Sequence, residues 1–280
     1  MRLGDVELHV VSDGRSWLDA GAHFGIVPRI LWEPIIALDD RHRVPMGLNC
    51  LLIRSAGQTI MVDTGLGGKL SDKERDKFGF ETSQGLVDHL RELGVAPEDV
   101  DILINTHLHA DHCGGNTLFD PGGEPIPTFP RAEYWIQRLE WADARYPNER
   151  TSKTYLPENF LPLEERGQLR LLSGDTPVTK DVRCLVTPGH TRAHQSVVIR
   201  SQGQTAIYLG DLAPWKENIE KLAWTPAADV APLDNIETKR AVRQWALEED
   251  VLLLFEHDPR LAGGYLRRRG DTFQVEPIDL

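Results

Sequence analysis

The chain has 280 residues, enough for one large domain or two small ones, and its 40% hydrophobic and 26% charged residues are ordinary for a globular protein. That balance excludes collagen-like, disordered and disulfide-dense classes. A formal net charge of −12 repels phosphate backbones, and only residues 267–269 gather arginines, so no nucleic-acid partner is expected.

In chain order, the first predicted strand is 6–11. The apolar segment 24–36 follows; it is a candidate homodimer contact, and His23 just before it is a candidate for the mouth of a pocket. Runs 49–54 and 59–63, joined through Ala56-Gly57-Gln58, predict a hairpin. Ser71 and Glu74 have capping-box spacing, and Leu86, Leu90 and Leu93 predict a helix over 82–93 that Gly94 stops. His89 falls mid-helix and is expected at the surface.

Strand 101–105 runs into His107-Leu108-His109-Ala110-Asp111-His112. The irregular stretch 116–167 holds Tyr134, Trp135, Trp141, Tyr146, Tyr155 and Phe160, which either line a substrate pocket or pack a subdomain. Strand 182–187 leads to His190, and a hairpin of 196–199 with 205–209 leads to Asp211. A helix over 235–249 carries Ala241, Val242, Trp245 and Leu247 as an apolar stripe. Strand 251–256 ends at His257, and 267–269 read as a solvated hairpin.

Strands paired in antiparallel fashion with helices between them argue for an α+β layered sandwich. No long linker divides the chain, so a single domain, 1–280, is expected. Strand-into-histidine occurs twice, at His107 and His190, which hints at two related halves. Cys50, Cys113 and Cys184 are odd in number and far apart, as suits free thiols. With no apolar run near the roughly 18 residues of a membrane span, no membrane partner and a cytoplasmic location are expected.

The chemistry centres on residues 107–112. His107 and His109 are two apart on an extended segment and project to one side, where both imidazoles can bind one metal. Asp111 and His112 follow as the chain turns and can aim at a second ion. His190, Asp211 and His257, each at a strand end, are candidates to complete the set. Cys113 beside His112 reads as a small buried side chain, and His194, four after His190, is either a support for the ligands or an unrelated histidine.

Together Val62-Asp63-Thr64-Gly65, residues 107–112, His190, Asp211 and His257 resemble the motif set of the metallo-β-lactamase superfamily, over about 49–257. The resemblance implies an αββα sandwich of two mixed β-sheets with helices on the outer faces and metals in a groove at one edge. It implies that His107, His109 and His190 hold one metal, that Asp111, His112 and His257 hold the other, and that Asp211 bridges them. Asp63 would support the histidines without binding metal.

Residues 19–29 with Trp32, and Asn49-Cys50-Leu51-Leu52, resemble the quorum-quenching lactonase and methyl-parathion-hydrolase-like branch. Best-known lactonases of that branch carry a Tyr three residues after the bridging Asp; here Pro214 stands there, which argues against an acyl-homoserine-lactone substrate.

The implied activity is a dinuclear-metal hydrolase that attacks an ester, lactone or phosphotriester of a small-molecule substrate with a metal-bridging hydroxide, Asp111 orienting it and moving the proton. Imidazoles and carboxylates suit two divalent ions, Zn²⁺ first, with Mn²⁺, Fe²⁺ and Co²⁺ also compatible. The alternatives are a glyoxalase II-like thioester hydrolase, for which the tail after His257 is too short to carry the usual helical glutathione module, and an iron-dependent oxidoreductase of the same fold.

Overall fold

The computed structural model describes residues 1–280. Nine strands belong to its first half: β1 (Arg2–Leu3), β2 (Val6–Asp19), β3 (Arg43–Ser55), β4 (Gln58–Val62), β5 (Ile102–Ile104), β6 (Thr117–Phe119), β7 (Pro125–Pro127), β8 (Glu133–Gln137) and β9 (Leu169–Leu172). All but the small β6–β7 hairpin form one sheet in the order β1-β2-β3-β4-β5-β8-β9. The second sheet runs β10 (Thr176–Pro177), β11 (Val182–Val186), β12 (Gln195–Ser201), β13 (Gln204–Tyr208), β14 (Leu252–Leu254), β15 (Gly263–Arg269) and β16 (Thr272–Pro277), also in chain order. Each sheet is antiparallel at its start and turns parallel where a helical crossover intervenes, at β4–β5 and at β13–β14.

Nine α-helices accompany them: α1 (Ala20–Phe24), α2 (Arg29–Trp32), α3 (Asp72–Phe78), α4 (Leu86–Glu92), α5 (Ala110–Cys113), α6 (Arg138–Arg145), α7 (Leu161–Glu165), α8 (Lys216–Glu220) and α9 (Pro232–Glu248). The layering follows from side-chain parity. Leu51 and Ile53 of β3 meet Val197, Ile199, Tyr208 and Leu254 between the sheets. Cys50 and Leu52 point the other way, to Leu86 and Leu90 of α4 and Trp141 of α6. On the second sheet Ala206 and Tyr208 face inward, while Ile207 and Leu253 pack on Val242 and Ala246 of α9. Central strands are therefore covered on both faces and read as continuous apolar runs. The result is the expected α+β sandwich, two mixed sheets with helices outside.

Several elements differ from their sequence expectations. The first strand does not stop at residue 11 but runs to Asp19, because a bulge between Ser12 and Arg15 lets the ladder with β3 resume. Gly14 makes this possible: at φ +129 it passes so close to Glu81 that any side chain would collide with the Glu81 carbonyl. The helix expected from residue 82 starts at Leu86, since Thr82 Oγ1 bonds Gln84 in a local turn. The last long helix begins earlier than residue 235, with Pro232 in its first turn, where a missing N–H costs nothing. Ser71 and Glu74 do form the capping box.

His89 is half-buried rather than at the surface, with Nδ1 2.5 Å from the Ser12 carbonyl. Of the six aromatics singled out in 116–167, Tyr134, Trp141, Tyr155 and Phe160 sit in the core under the first sheet, Trp135 packs between the sheets, and Tyr146 is exposed. In the N-terminal segment Phe24 and Trp32 stack and join Val44, Met46, Trp215 and Trp224, while Ile26, Ile30 and Leu31 face outward. No helix is long and apolar enough to cross a membrane.

Candidate metal centre

The loops that leave β4, β5, β11, β13 and β14 meet at one edge of the sandwich. Two groups of donors open on a cavity there: His107, His109, His190 and Asp211, all buried, and Asp111, His112 and His257, of which Asp111 is partly open; a third, wholly buried, joins Asp63 and Glu256 to His112. Within each group the ligand-type atoms lie within 4.8 Å of one another. All seven residues singled out from the sequence are thus brought together.

Asp211 lies between the groups. Its Oδ2 is 3.1 Å from His190 Nε2 and 3.5 Å from His112 Nε2, and its Oδ1 is 3.2 Å from His257 Nε2. His190 Nε2 is 3.1 Å from His109 Nδ1, and His257 Nε2 is 3.0 Å from His112 Nε2. His107 Nε2 and Asp211 Oδ1 are buried with no hydrogen-bond partner. Imidazole lone pairs facing one another around a carboxylate are costly unless a cation sits among them, so the donor set fits metal.

The electrostatics agree. Burial first, then the neighbouring histidines, hold His107 and His109 well below the usual histidine range, in the neutral form a metal requires. Burial works against charge on His257 too, yet Asp211 and Glu256 push it up to about 9. Burial opposes ionisation of Asp211, but His190, His112 and His257 outweigh it and hold the carboxyl well below its ordinary value. Neutral His107 and His109 thus stand beside an ionised Asp211, the donor forms that a cation needs.

Three of the histidines are fixed through their other ring nitrogen, a recurrent arrangement for metal-binding imidazoles. His257 Nδ1–H donates to the Gly47 carbonyl (2.7 Å), and His190 Nδ1–H to Asp229 Oδ1 (2.9 Å). His112 Nδ1 meets Asp63 Oδ2 at 3.1 Å; Glu256 Oε2 is 2.8 Å away but outside hydrogen-bonding alignment. Asp63 also accepts from the Thr106 N–H (2.8 Å) and hydroxyl (2.6 Å), and it adopts a left-handed backbone with φ 56°. The Asp211 N–H donates to His194 Nε2 (3.1 Å), which sets His194 beside Asp211.

Sequence reasoning missed Asp229 and Glu140. Glu140, fully buried, accepts from the Leu108 N–H (3.0 Å), the Tyr155 hydroxyl (3.0 Å) and the Thr191 hydroxyl (2.6 Å), tying the His107–His112 loop to the His190 loop. Neither acid belongs to a motif, and α6 reads as a polar surface helix; no local signal could have found them. Cys113 donates Sγ–H to the Leu108 carbonyl (3.3 Å) and stands outside both donor groups.

Five of the donors, His109, Asp111, His190, Asp211 and His257, line a cavity of about 160 Å³ whose walls include Trp17, Met46, Leu66, Phe78 and Pro214. A larger groove of about 640 Å³, lined by Arg183, Leu185, Arg200 and Trp245, carries none of the donors.

The profile of the metallo-beta-lactamase superfamily matches residues 43–257. The chain belongs to the metallo-beta-lactamase superfamily and is a metal-dependent hydrolase. It is 30% identical over 220 residues to an N-acyl homoserine lactonase of Bacillus sp., a match covering 75% of this chain and 80% of that one. A crystal structure of a probable metal-dependent hydrolase from Staphylococcus aureus is similar along the whole length of both chains, with a TM-score of 0.89 and 26% identity. The dizinc quorum-quenching lactonase AidC shares the fold, with a TM-score of 0.79 and 19% identity over 100% of this chain and 97% of that one.

Proposed function

We propose that this chain is a dinuclear hydrolase of lactones or esters, with His107, His109 and His190 holding one divalent ion, Asp111, His112 and His257 the other, and Asp211 between them. The observation that carries this reading is the convergence of seven donors around a buried, partner-less Asp211 Oδ1 and His107 Nε2. Two bound ions, Zn²⁺ first among the candidates, would lower the pKa of water to about 7 and polarise the substrate carbonyl.

The protein's own residues supply the rest. Asp111, with 39% of its side chain exposed, faces the cavity and is suited to accept the proton of the attacking water and deliver it to the leaving oxygen. Asp229, the Gly47 carbonyl and Asp63 set the ring orientations of His190, His257 and His112. Trp17, Met46 and Phe78 favour an apolar substituent on the substrate and exclude water from the floor. The lactonase relatives favour lactones within this class. Pro214, which has no side-chain donor, argues against homoserine lactones as the preferred ones.

The test is a panel of lactones, aryl esters, phosphotriesters and β-lactams on metal-loaded protein, with metal counted per chain. About two zinc and turnover of a lactone or aryl ester support the reading. Iron as the functional metal, or no turnover of any ester or lactone, defeats it.

A further inference from the structure

One polar side chain in the cavity wall has no partner in the protein. His23, on α1, is 1% exposed, and its Nδ1 is buried without a hydrogen bond. It lines the same cavity as His109, Asp111, His190, Asp211 and His257, yet stands outside both donor groups.

The ring is held in place. It lies 4.0 Å from the Trp215 ring at a 41° tilt and meets Phe24 edge-on at 4.7 Å. The short helix beneath it is pinned at both sides: Asp19 Oδ1 accepts the Ala22 N–H (3.1 Å), and the Ala22 carbonyl accepts the Ala227 N–H (2.9 Å). Gly25, at φ +57, passes so close to the Thr225 carbonyl that no side chain fits between them. The imidazole therefore cannot swing out to solvent to satisfy its nitrogen.

A buried polar atom without a partner costs stability, and most such atoms in proteins find one. Phenylalanine would fill this aromatic nest without that cost. A histidine there makes sense if its partner arrives with the substrate.

We propose that His23 is a substrate-binding residue whose imidazole hydrogen-bonds an oxygen of the ester or lactone lying above Asp211 and His257. The inference rests on the hydrolase reading above and adds a contact from the N-terminal segment, outside the metal motifs. Substrates with an accepting oxygen beside the scissile bond are favoured over those presenting only hydrocarbon there.

The test compares wild type, His23→Phe and His23→Gln, all metal-loaded, for metal per chain, Tm, kcat and KM on the best lactone and the best aryl ester. His23→Phe is expected to keep the wild-type metal content and a Tm at or above wild type, while kcat/KM falls about ten- to a hundredfold. His23→Gln, which retains a donor, recovers part of that loss. A His23→Phe enzyme within twofold of wild type overturns the proposal. So does a fall in metal content or Tm in both variants that accounts for the lost activity. A wild type inert on every ester and lactone instead defeats the hydrolase reading, and the role of His23 with it.

Discussion

The two halves of the molecule share a plan and use it differently. In each, an antiparallel run leads through a helical crossover into a parallel strand, and an Asp follows the strand before the crossover: Asp63 after β4, Asp211 after β13. Asp63 turns away from the cavity to Thr106 and His112, whereas Asp211 projects among the histidines. The first half gathers four donors in one loop after β5, and the second spreads three over the ends of β11, β13 and β14. Topology thus fixes where these residues gather, and on the proposed reading local backbone decides whether a given carboxylate serves as a donor or a brace.

Exchanging those roles provides the strongest test. On the proposed two-ion reading, Asp211→Ala should lower kcat/KM by at least about a hundredfold and reduce metal below two per chain, because it would remove a donor shared by both ions, whereas loss of a supporting residue typically costs 10–100-fold. Asp63→Asn should fall within that 10–100-fold range and keep measurable turnover. If the two variants behave alike, the distinction between donor and brace fails.

Packing is where the halves should agree. Leu52→Ala, beneath the first sheet, and Leu253→Ala, beneath the second, each empty a fully buried site and should cost about 2–5 kcal/mol in denaturant unfolding. A cost under 1 kcal/mol in one of them would mark that half as loosely packed.

Metal affinity should separate the two donor groups. If two ions bind as proposed, Asp229→Ala, which removes the partner of His190 Nδ1, should weaken one of them by about 10–100-fold in a chelator titration and leave the other near its wild-type affinity. Equal weakening of both ions would show the groups to be a single thermodynamic unit.

The smallest expected effect is a pH dependence. Away from the cluster, the first half buries Asp13, which accepts from the Gly67 (2.9 Å) and Leu86 (3.1 Å) N–H groups, and the second buries Lys239, which donates to the Trp224 carbonyl (2.7 Å). Burial pushes Asp13 up to about 6 despite those bonds, and pushes Lys239 down to about 8. A raised carboxyl contributes stability below its unfolded value near 4 and loses it as pH rises through 6; a lowered amine loses stability as pH falls through 8. From pH 4 to 7, Asp13→Asn should therefore gain on wild type by about 2–4 °C in Tm. A constant difference across that range would refute the assignment.

Much of this was legible in the sequence because the chemistry is local. His107 to His112 lie in one run, and His190, Asp211 and His257 each follow an apolar strand whose end must reach a sheet edge. What was not legible depends on pairing across the fold. Asp229 meets a histidine 39 residues away and Glu140 a threonine 51 residues away, and nothing near either acid encodes that. The extension of β2 likewise depends on a bulge that β3 and Glu81 make favourable.

Glu140 has a mechanical consequence. As a strut between Leu108 and Thr191, it ties the two halves together beside the cavity and opposes their parting like the covers of a book. Traffic in and out is left to the rim, where α1 lines the cavity with Ala22 and His23 while Ile26 and Ile30, just beyond it, stand in water. Selectivity of entry and strength of metal binding are therefore set by different segments, and one can drift while the other is held constant.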